Sequence, residues 1–396
     1  MPLNNISIVG EKCTGCGGCY NTCPKDAIAM TEDKEGFLYP KVNRNCIDCG
    51  LCLKVCPVND DIRENKNAGG FEQKGYVVLT RDKINYKRTA SGGVFTTIAK
   101  AFISDSASAY VVGAVWDTEK GKVVHLVSNE LSYIQRMSNS KYVQSDVEDT
   151  YKSVKALLRS GSSVLFSGTP CQVAAIKGIT GNPSNLITID IICHGVPSPR
   201  FLSQQLKVLS DKESIFYDNV VFRWKNAVWK HGNFYMVLQK KDHKGRKIFS
   251  NATVPYFNLF MKNKTHRLSC YKCPFACLER EGDITIGDCD SSKLYPSFYP
   301  EYSKSAIIIN TLRGEQFWAE YEHLFKQCNL DIMEEAKVNR PLSRPEEMPS
   351  ERYAVYQDLE TLPYKTLLKK YGREDPKYKS LMYKLFDLLP FKYKVF

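Results

Sequence analysis

The chain has no run of 18 or more apolar residues, so no membrane-spanning helix is expected. Its first residues, MPLNNISIVGEKC, lack the basic patch and apolar core of a secretory signal, and the protein is expected in the cytoplasm. It also lacks a basic-aromatic recognition module, so nucleic acid is not an expected partner despite a formal charge of +12. Six of those charge units lie in residues 363–396, where nine Lys or Arg stand against three acidic residues. Composition excludes little else: 43% hydrophobic and 25% charged residues suit an ordinary globular protein, and 396 residues suit two or three domains.

Cysteine is plentiful. There are 15, an odd number, and eight precede residue 60. A reducing compartment disfavours structural disulfides, so clustered cysteines there point to metal or redox sites. Residues 13–24 read CTGCGGCYNTCP and residues 46–57 read CIDCGLCLKVCP. Each is C-x2-C-x2-C-x3-C-P, and the second copy follows the first by 33 residues at every cysteine. Gly17 with Gly50 and Pro24 with Pro57 repeat too. Three thiolates within seven residues wrap one face of a cubane if the backbone turns tightly, while the fourth cysteine points away to the other cluster. The spacing therefore predicts one 4Fe-4S cluster on Cys13, Cys16, Cys19 and Cys56, and another on Cys46, Cys49, Cys52 and Cys23. Zinc, the other reading of C-x2-C pairs, needs neither three cysteines in seven residues nor a duplicated set.

The expected organisation is a two-cluster ferredoxin-type α+β domain over residues 1–62, a polar linker over 63–74 and an α/β domain over 75–335. A basic, Tyr-rich C-terminal tail follows over 336–396. In the third of these, strand-like runs at 75–80, 109–115, 163–168, 186–193, 283–287 and 306–310 alternate with helical patterns at 91–101, 147–159, 170–178, 197–209 and 313–326. The stretch 217–251 is richer in strands. This alternation predicts a largely parallel or mixed sheet with crossover helices. Cys171 lies just past one strand and Cys193 closes the next. If those strands are parallel neighbours, both thiols emerge at the carboxyl edge of the sheet, where ligands bind in open α/β folds. Cys270, Cys273, Cys277 and Cys289 follow. Four to six cysteines converging there suit a third 4Fe-4S cluster; the alternative is that some are merely buried.

The blocks ASGGVFTTIAKA, SKYVQSD, FSGTPCQVAAIKG, DIICHGVPSP, FRWK and CYKCPFACLEREGDITIGDCD resemble the deazaflavin (coenzyme F-420) hydrogenase/dehydrogenase beta-subunit family. They cover residues roughly 75–290, and a preceding ferredoxin repeat is a common feature of that family. The resemblance implies an FAD-containing iron–sulfur oxidoreductase that passes electrons between clusters and an organic two-electron acceptor. Some relatives of this kind serve surface-polysaccharide pathways. It implies Cys171, Cys193, Cys270 and Cys273 as the third-cluster ligands, with Cys277 in reserve and Cys289 a packed bystander. The segment Gly287-Asp288-Cys289-Asp290 departs from the family pattern, which places an aromatic residue after the aspartate, and this puts a flavin-stacking role there in doubt.

In that context Ser91 would cap a helix while Gly92 and Gly93 admit a flavin phosphate to backbone N–H groups. Lys141 would place a positive charge near the reduced flavin; its plainer reading is a solvated surface lysine. His194 would serve as a proton donor or as a hydrogen-bonding neighbour of the cluster. Expected partners are a small organic substrate and a redox protein, either a ferredoxin or a hydrogenase/dehydrogenase-type enzyme. The rival functions are an electron-transfer subunit with no substrate of its own and a flavin-free iron–sulfur scaffold or sensor. The tail, with Tyr364, Tyr371 and Tyr378 every seven residues, reads as packing on the protein's own core or on a second copy; a second reading is a basic amphipathic element in peripheral contact with an anionic membrane.

Overall fold

The structure, a computed structural model, describes residues 4–59, 70–213, 217–223, 225, 235–240, 246–250, 253–296 and 303–372. Most of the expected linker, and the tail beyond residue 372 with Tyr378, lie outside the described residues.

The two cysteine repeats fold alike because their glycines permit it. Gly17 (φ 75°, ψ 3°) and Gly50 (φ 73°, ψ −2°) both take the left-handed conformation and lead into short helices, Gly18–Thr22 and Leu51–Lys54. Between the repeats, β1 (Ile28–Glu32) and β2 (Leu38–Val42) form an antiparallel hairpin.

The rest is organised on an eight-stranded mixed sheet. It is built from β3 (Lys74–Thr80), β4 (Ala109–Asp117), β5 (Lys122–Ser128), β6 (Ser163–Gly168) and β7 (Leu186–Ile191). A separate three-stranded antiparallel sheet follows in the chain, formed by β8 (Tyr217–Val221), β9 (Tyr235–Lys240) and β10 (Arg246–Ser250). The large sheet is then completed by β11 (Ile284–Asp288), β12 (Ser305–Ile309) and β13 (Phe325–Asn329), in the order β13-β3-β12-β11-β7-β6-β4-β5. Strands β4, β6, β7 and β11 run parallel, and the flanking pairs are antiparallel. Val164, Leu165 and Phe166 of β6 and all five residues of β12 are buried, the continuous apolar run of strands covered on both faces.

Two helix expectations need correction. The helix foreseen from Ser91 begins at Val94 and runs to Asp105, with Gly93 (φ 82°) at its N-cap. The helix foreseen over 313–326 is Leu312–Tyr321, and its last residues instead open β13, which pairs with β3. The segment 122–128, unassigned from its pattern, is β5. Residues 352–372 pack on the body of the protein through helices Arg352–Thr361 and Tyr364–Tyr371. Val355 joins a core with Phe201, Tyr256 and Phe257, and the Tyr364 hydroxyl accepts a hydrogen bond from Gln205 at 2.7 Å. Among the described residues no helix is long and apolar enough to cross a membrane.

Candidate functional site: two cysteine sets and a shared cavity

Cys13, Cys16 and Cys19 line one small hollow with Cys56 from the other repeat; Ile6, Met30 and Val58 close it. Burial, then the neighbouring thiols, raises the pKa of Cys16 and Cys19, and burial raises that of Cys56 to about 11. Of the remaining four, Cys52 is buried, Cys23 and Cys46 are half-buried and Cys49 is exposed. Cys52 lies near enough to Cys46 for a thiolate there to raise its pKa further, although burial is the larger cause.

A second set is assembled by the sheet. Strands β6 and β7 are parallel neighbours, from Val164 opposite Leu186 to Gly168 opposite Asp190. Beyond β6, Pro170 opens helix Pro170–Thr180, and the Thr169 N–H donates to Gln172 Oε1 at 3.0 Å, which fixes Cys171 in the first turn. Cys193 lies two residues past β7. Cys270 sits in the 3-10 turn Leu268–Lys272, and Cys273 ends it. The following loop is held to β7 by Arg280, which pairs with buried Asp190 at 3.1 Å and donates to the Ile191 carbonyl at 3.2 Å.

All four of these thiols line a cavity of about 580 Å³ at the carboxyl edge of the parallel strands. Burial is the main cause raising each of their pKa values; at Cys270 the thiols of Cys193, Cys273 and Cys171 add to it. Cys16 borders the same cavity, so the two sets meet there. Cys277 is turned to the carbonyls of Pro274 and Glu279, and Cys289 is buried beside Val77, Leu79 and Ala306. Among the described residues no three His, Cys, Asp or Glu side chains are grouped to hold a single metal ion. A tetrahedral zinc would draw its thiolates to within about 4 Å of one another, whereas a four-iron cubane holds them farther apart.

The cavity continues past Ser91, Gly93, Asn139, Lys141, His194, Arg223 and Asp288. Ser91 does not cap the helix: its hydroxyl donates to the Lys304 carbonyl at 2.6 Å. The Gly92 N–H donates to Ser305 Oγ at 2.9 Å, and a Cβ on Gly92 would meet the Val78 carbonyl at 2.4 Å. The glycine pair thus serves a close backbone crossing, and only Ser91 and Gly93 border the cavity. Lys141 is not a freely solvated surface lysine. Its ammonium donates to the carbonyls of Arg136 (2.8 Å), Ser138 (2.5 Å) and Asn139 (3.2 Å) at the end of helix Leu131–Met137, and burial brings its pKa down to about 7. His194 packs against Phe260 and His266 at 4.9 and 5.6 Å between ring centres. Burial takes its pKa down to about 4, against the opposing pull of the Asp288 carboxylate.

Sequence reading missed the residues that join the two sets. Gln144 Nε2 donates to the carbonyls of Thr14 (3.1 Å) and Gly15 (3.3 Å). Buried Arg267 donates to the Cys13 carbonyl at 2.8 Å and to Gln144 Oε1 at 3.2 Å. Arg223, also missed, pairs with Asp288 in the cavity wall. No spacing rule marks any of them; the nearest signal is Arg267 standing three residues before Cys270.

This architecture defines an iron–sulfur electron-transfer protein: a two-cluster ferredoxin unit docked on a mixed α/β domain with further cysteines at the junction. Residues 6–63 match the model of the 4Fe-4S dicluster domain, and residues 161–326 match that of the coenzyme F420 hydrogenase/dehydrogenase beta subunit, C terminus. The chain thus joins a ferredoxin-type N-terminus to a region similar to the C-terminal part of coenzyme F420 hydrogenase/dehydrogenase beta subunits, which belong to oxidoreductases. An uncharacterized ferredoxin from Methanocaldococcus jannaschii is 47% identical over 34 residues, 9% of this chain; the match spans 44% of that ferredoxin's length. A chain of the F420-reducing [NiFe] hydrogenase complex from Methanosarcina barkeri, in a xenon-derivatized structure, aligns with a TM-score of 0.43 at 15% identity. That alignment covers 67% of this chain and 89% of the other.

Proposed function

We propose that this chain is an iron–sulfur flavoprotein oxidoreductase that relays electrons between three 4Fe-4S clusters and an organic two-electron acceptor. The observation that carries the proposal is the convergence of Cys171, Cys193, Cys270 and Cys273 on one cavity that Cys16 of the ferredoxin unit also borders. In this reading Cys13, Cys16, Cys19 and Cys56 hold the first cluster, Cys23, Cys46, Cys49 and Cys52 the second, and the four junction cysteines the third. The cavity volume falls within the roughly 300–1,000 Å³ of small-molecule and cofactor sites. Its wall includes Asn139 Oδ1 and Ser269 Oγ, both buried without a hydrogen-bond partner, as groups that meet a ligand would be.

A bound flavin supplies the exchange between one-electron cluster chemistry and two-electron chemistry at carbon. In this reading Ser91, Gly93, Asn139, Lys141 and Arg223, which border the cavity, would hold it. Substrate would share this cavity. Anaerobic purification with iron, zinc and flavin analysis tests the proposal. About twelve irons and one flavin per chain are expected, from three four-iron clusters. Zinc without iron, or about eight irons with no flavin, overturns it.

A second reading, an electron-transfer subunit serving a ferredoxin or a hydrogenase/dehydrogenase-type partner, is favoured by the surface around the outer ferredoxin cysteines, Cys23, Cys46, Cys49 and Cys52. Cys49 is exposed there, beside Ile47 at 58% exposure. Reduction of a small acceptor by the isolated chain favours the first reading; turnover only with a partner protein favours the second.

A further inference from the structure

Four buried or nearly buried arginines surround the two cysteine sets, and three have carboxylate partners. Arg280 pairs with Asp190, Arg352 with Glu35 and Arg223 with Asp288. Arg267 is the exception. It is 0% exposed, and among the described residues no carboxylate forms an ion pair with it. Its contacts are neutral: the Cys13 carbonyl, Gln144 Oε1 and the face of Tyr39 at 3.9 Å from the ring centre. Its Nη2 is buried with no hydrogen-bond partner.

Guanidinium groups stay charged in proteins, and a buried charge without a counter-charge is strongly unfavourable. The placement of Arg267 indicates what supplies the negative charge. Its backbone belongs to the loop of the second cysteine set, where the Cys270 N–H donates to the Arg267 carbonyl at 2.9 Å. Its side chain crosses to the first set and holds the Cys13 carbonyl. A four-iron cluster on four thiolates is anionic, and its potential responds to nearby charge and hydrogen bonds.

We propose that Arg267 is the counter-charge shared by the first ferredoxin-type cluster and the junction cluster, and that it raises the reduction potentials of both. This rests on the three-cluster reading above. A cation between the two sites stabilises the added electron at either one and so favours its passage across the junction. The second ferredoxin-type cluster, on the outer cysteines, is left largely unaffected. Arg267 is therefore a positioning and tuning residue, not a ligand.

The test is a redox titration of the whole, anaerobically prepared protein followed by electron paramagnetic resonance. In Arg267→Gln two of the three cluster potentials are expected to move to more negative values while the third holds; Arg267→Lys should recover most of the shift. Gln144→Glu sets a carboxylate against the guanidinium and should produce a negative shift without removing Arg267, and it decides the matter if Arg267→Gln does not fold. Unmoved potentials in cluster-loaded Arg267→Gln, or in Gln144→Glu where only that variant folds, overturn the proposal. About eight irons in the wild-type protein would instead overturn the three-cluster reading.

Discussion

Arg352 and Glu35, 317 residues apart, form a bidentate ion pair, Nη1 to Oε1 at 2.9 Å and Nη2 to Oε2 at 2.6 Å. The same guanidinium donates to the His266 carbonyl, at 3.0 Å from Nε and 2.9 Å from Nη2. One C-terminal helix residue thus grips both the ferredoxin hairpin and the loop that leads to Cys270. Removing one partner of a buried pair leaves the other uncompensated, which costs about 3–5 kcal/mol. Arg352→Ala should lose stability on that scale in urea denaturation. A loss below about 1 kcal/mol would mean that the pair does not tie the units together.

The cysteine assignments separate cleanly by iron analysis. Cys171→Ser and Cys273→Ser should each release about four irons, as one cluster is lost. Cys277→Ser and Cys289→Ser should release none, since both thiols are directed elsewhere. Cys23→Ser should damage the cluster of Cys46, Cys49 and Cys52, not that of its own repeat. Retention of every cluster in Cys171→Ser would remove the junction site.

Gly15 has φ +67°, and a Cβ there would stand 2.3 Å from Gln144 Nε2 and 2.8 Å from Arg267 Nη1. The left-handed backbone alone costs a non-glycine residue about 1–3 kcal/mol. Gly15→Ala should therefore lower stability and loosen the first cluster, visible as partial iron loss. Full iron at wild-type stability would show that the junction has room to relax.

Burial takes the His125 pKa from 6.5 to about 4, opposed by its contact with the Ser167 carbonyl at 3.3 Å. In the window between those values the unfolded chain binds the proton and the folded chain does not. Stability should therefore fall as pH drops from 6.5 toward 4, by on the order of 3 kcal/mol from this group. His125→Gln should flatten that part of the curve of urea midpoint against pH. Equal slopes in both proteins would exclude the effect.

The cysteine repeat was legible because its chemistry is local: three ligands within seven residues leave a spacing signature. The edge formed by β6 and β7 was legible because fully buried parallel strands read as apolar runs. Other features depend on pairing at long range. β13, FKQCN, has a single buried residue at its start and exists because β3 offers it an edge. β5 carries buried His125 where an apolar residue would have kept the pattern. Ser91 looked like a cap because Ser-Gly-Gly opens helices, yet the Lys304 carbonyl takes its hydroxyl and Ser305 Oγ takes the Gly92 N–H, each from 213 residues away. Arg267 and Gln144 leave no local trace, since their role arises only when the ferredoxin unit docks. Among the seven-residue tyrosines, Tyr364 meets Gln205, and the Tyr371 carbonyl accepts a hydrogen bond from Asn258 at 2.5 Å.

The graded burial of the eight ferredoxin cysteines bears on how the protein would age in air. Cys49 lies open to solvent, whereas Cys13, Cys19 and Cys56 are each less than 10% exposed. Oxygen diffusing inward meets the outer set first, and attack on sulfur follows access. Damage should then proceed in order: a first loss of about four irons from the outer set, followed by a slower loss from the sheltered interior. A protein briefly exposed to oxygen would keep its inner cysteine-bound iron while losing the exposed site nearest its surface.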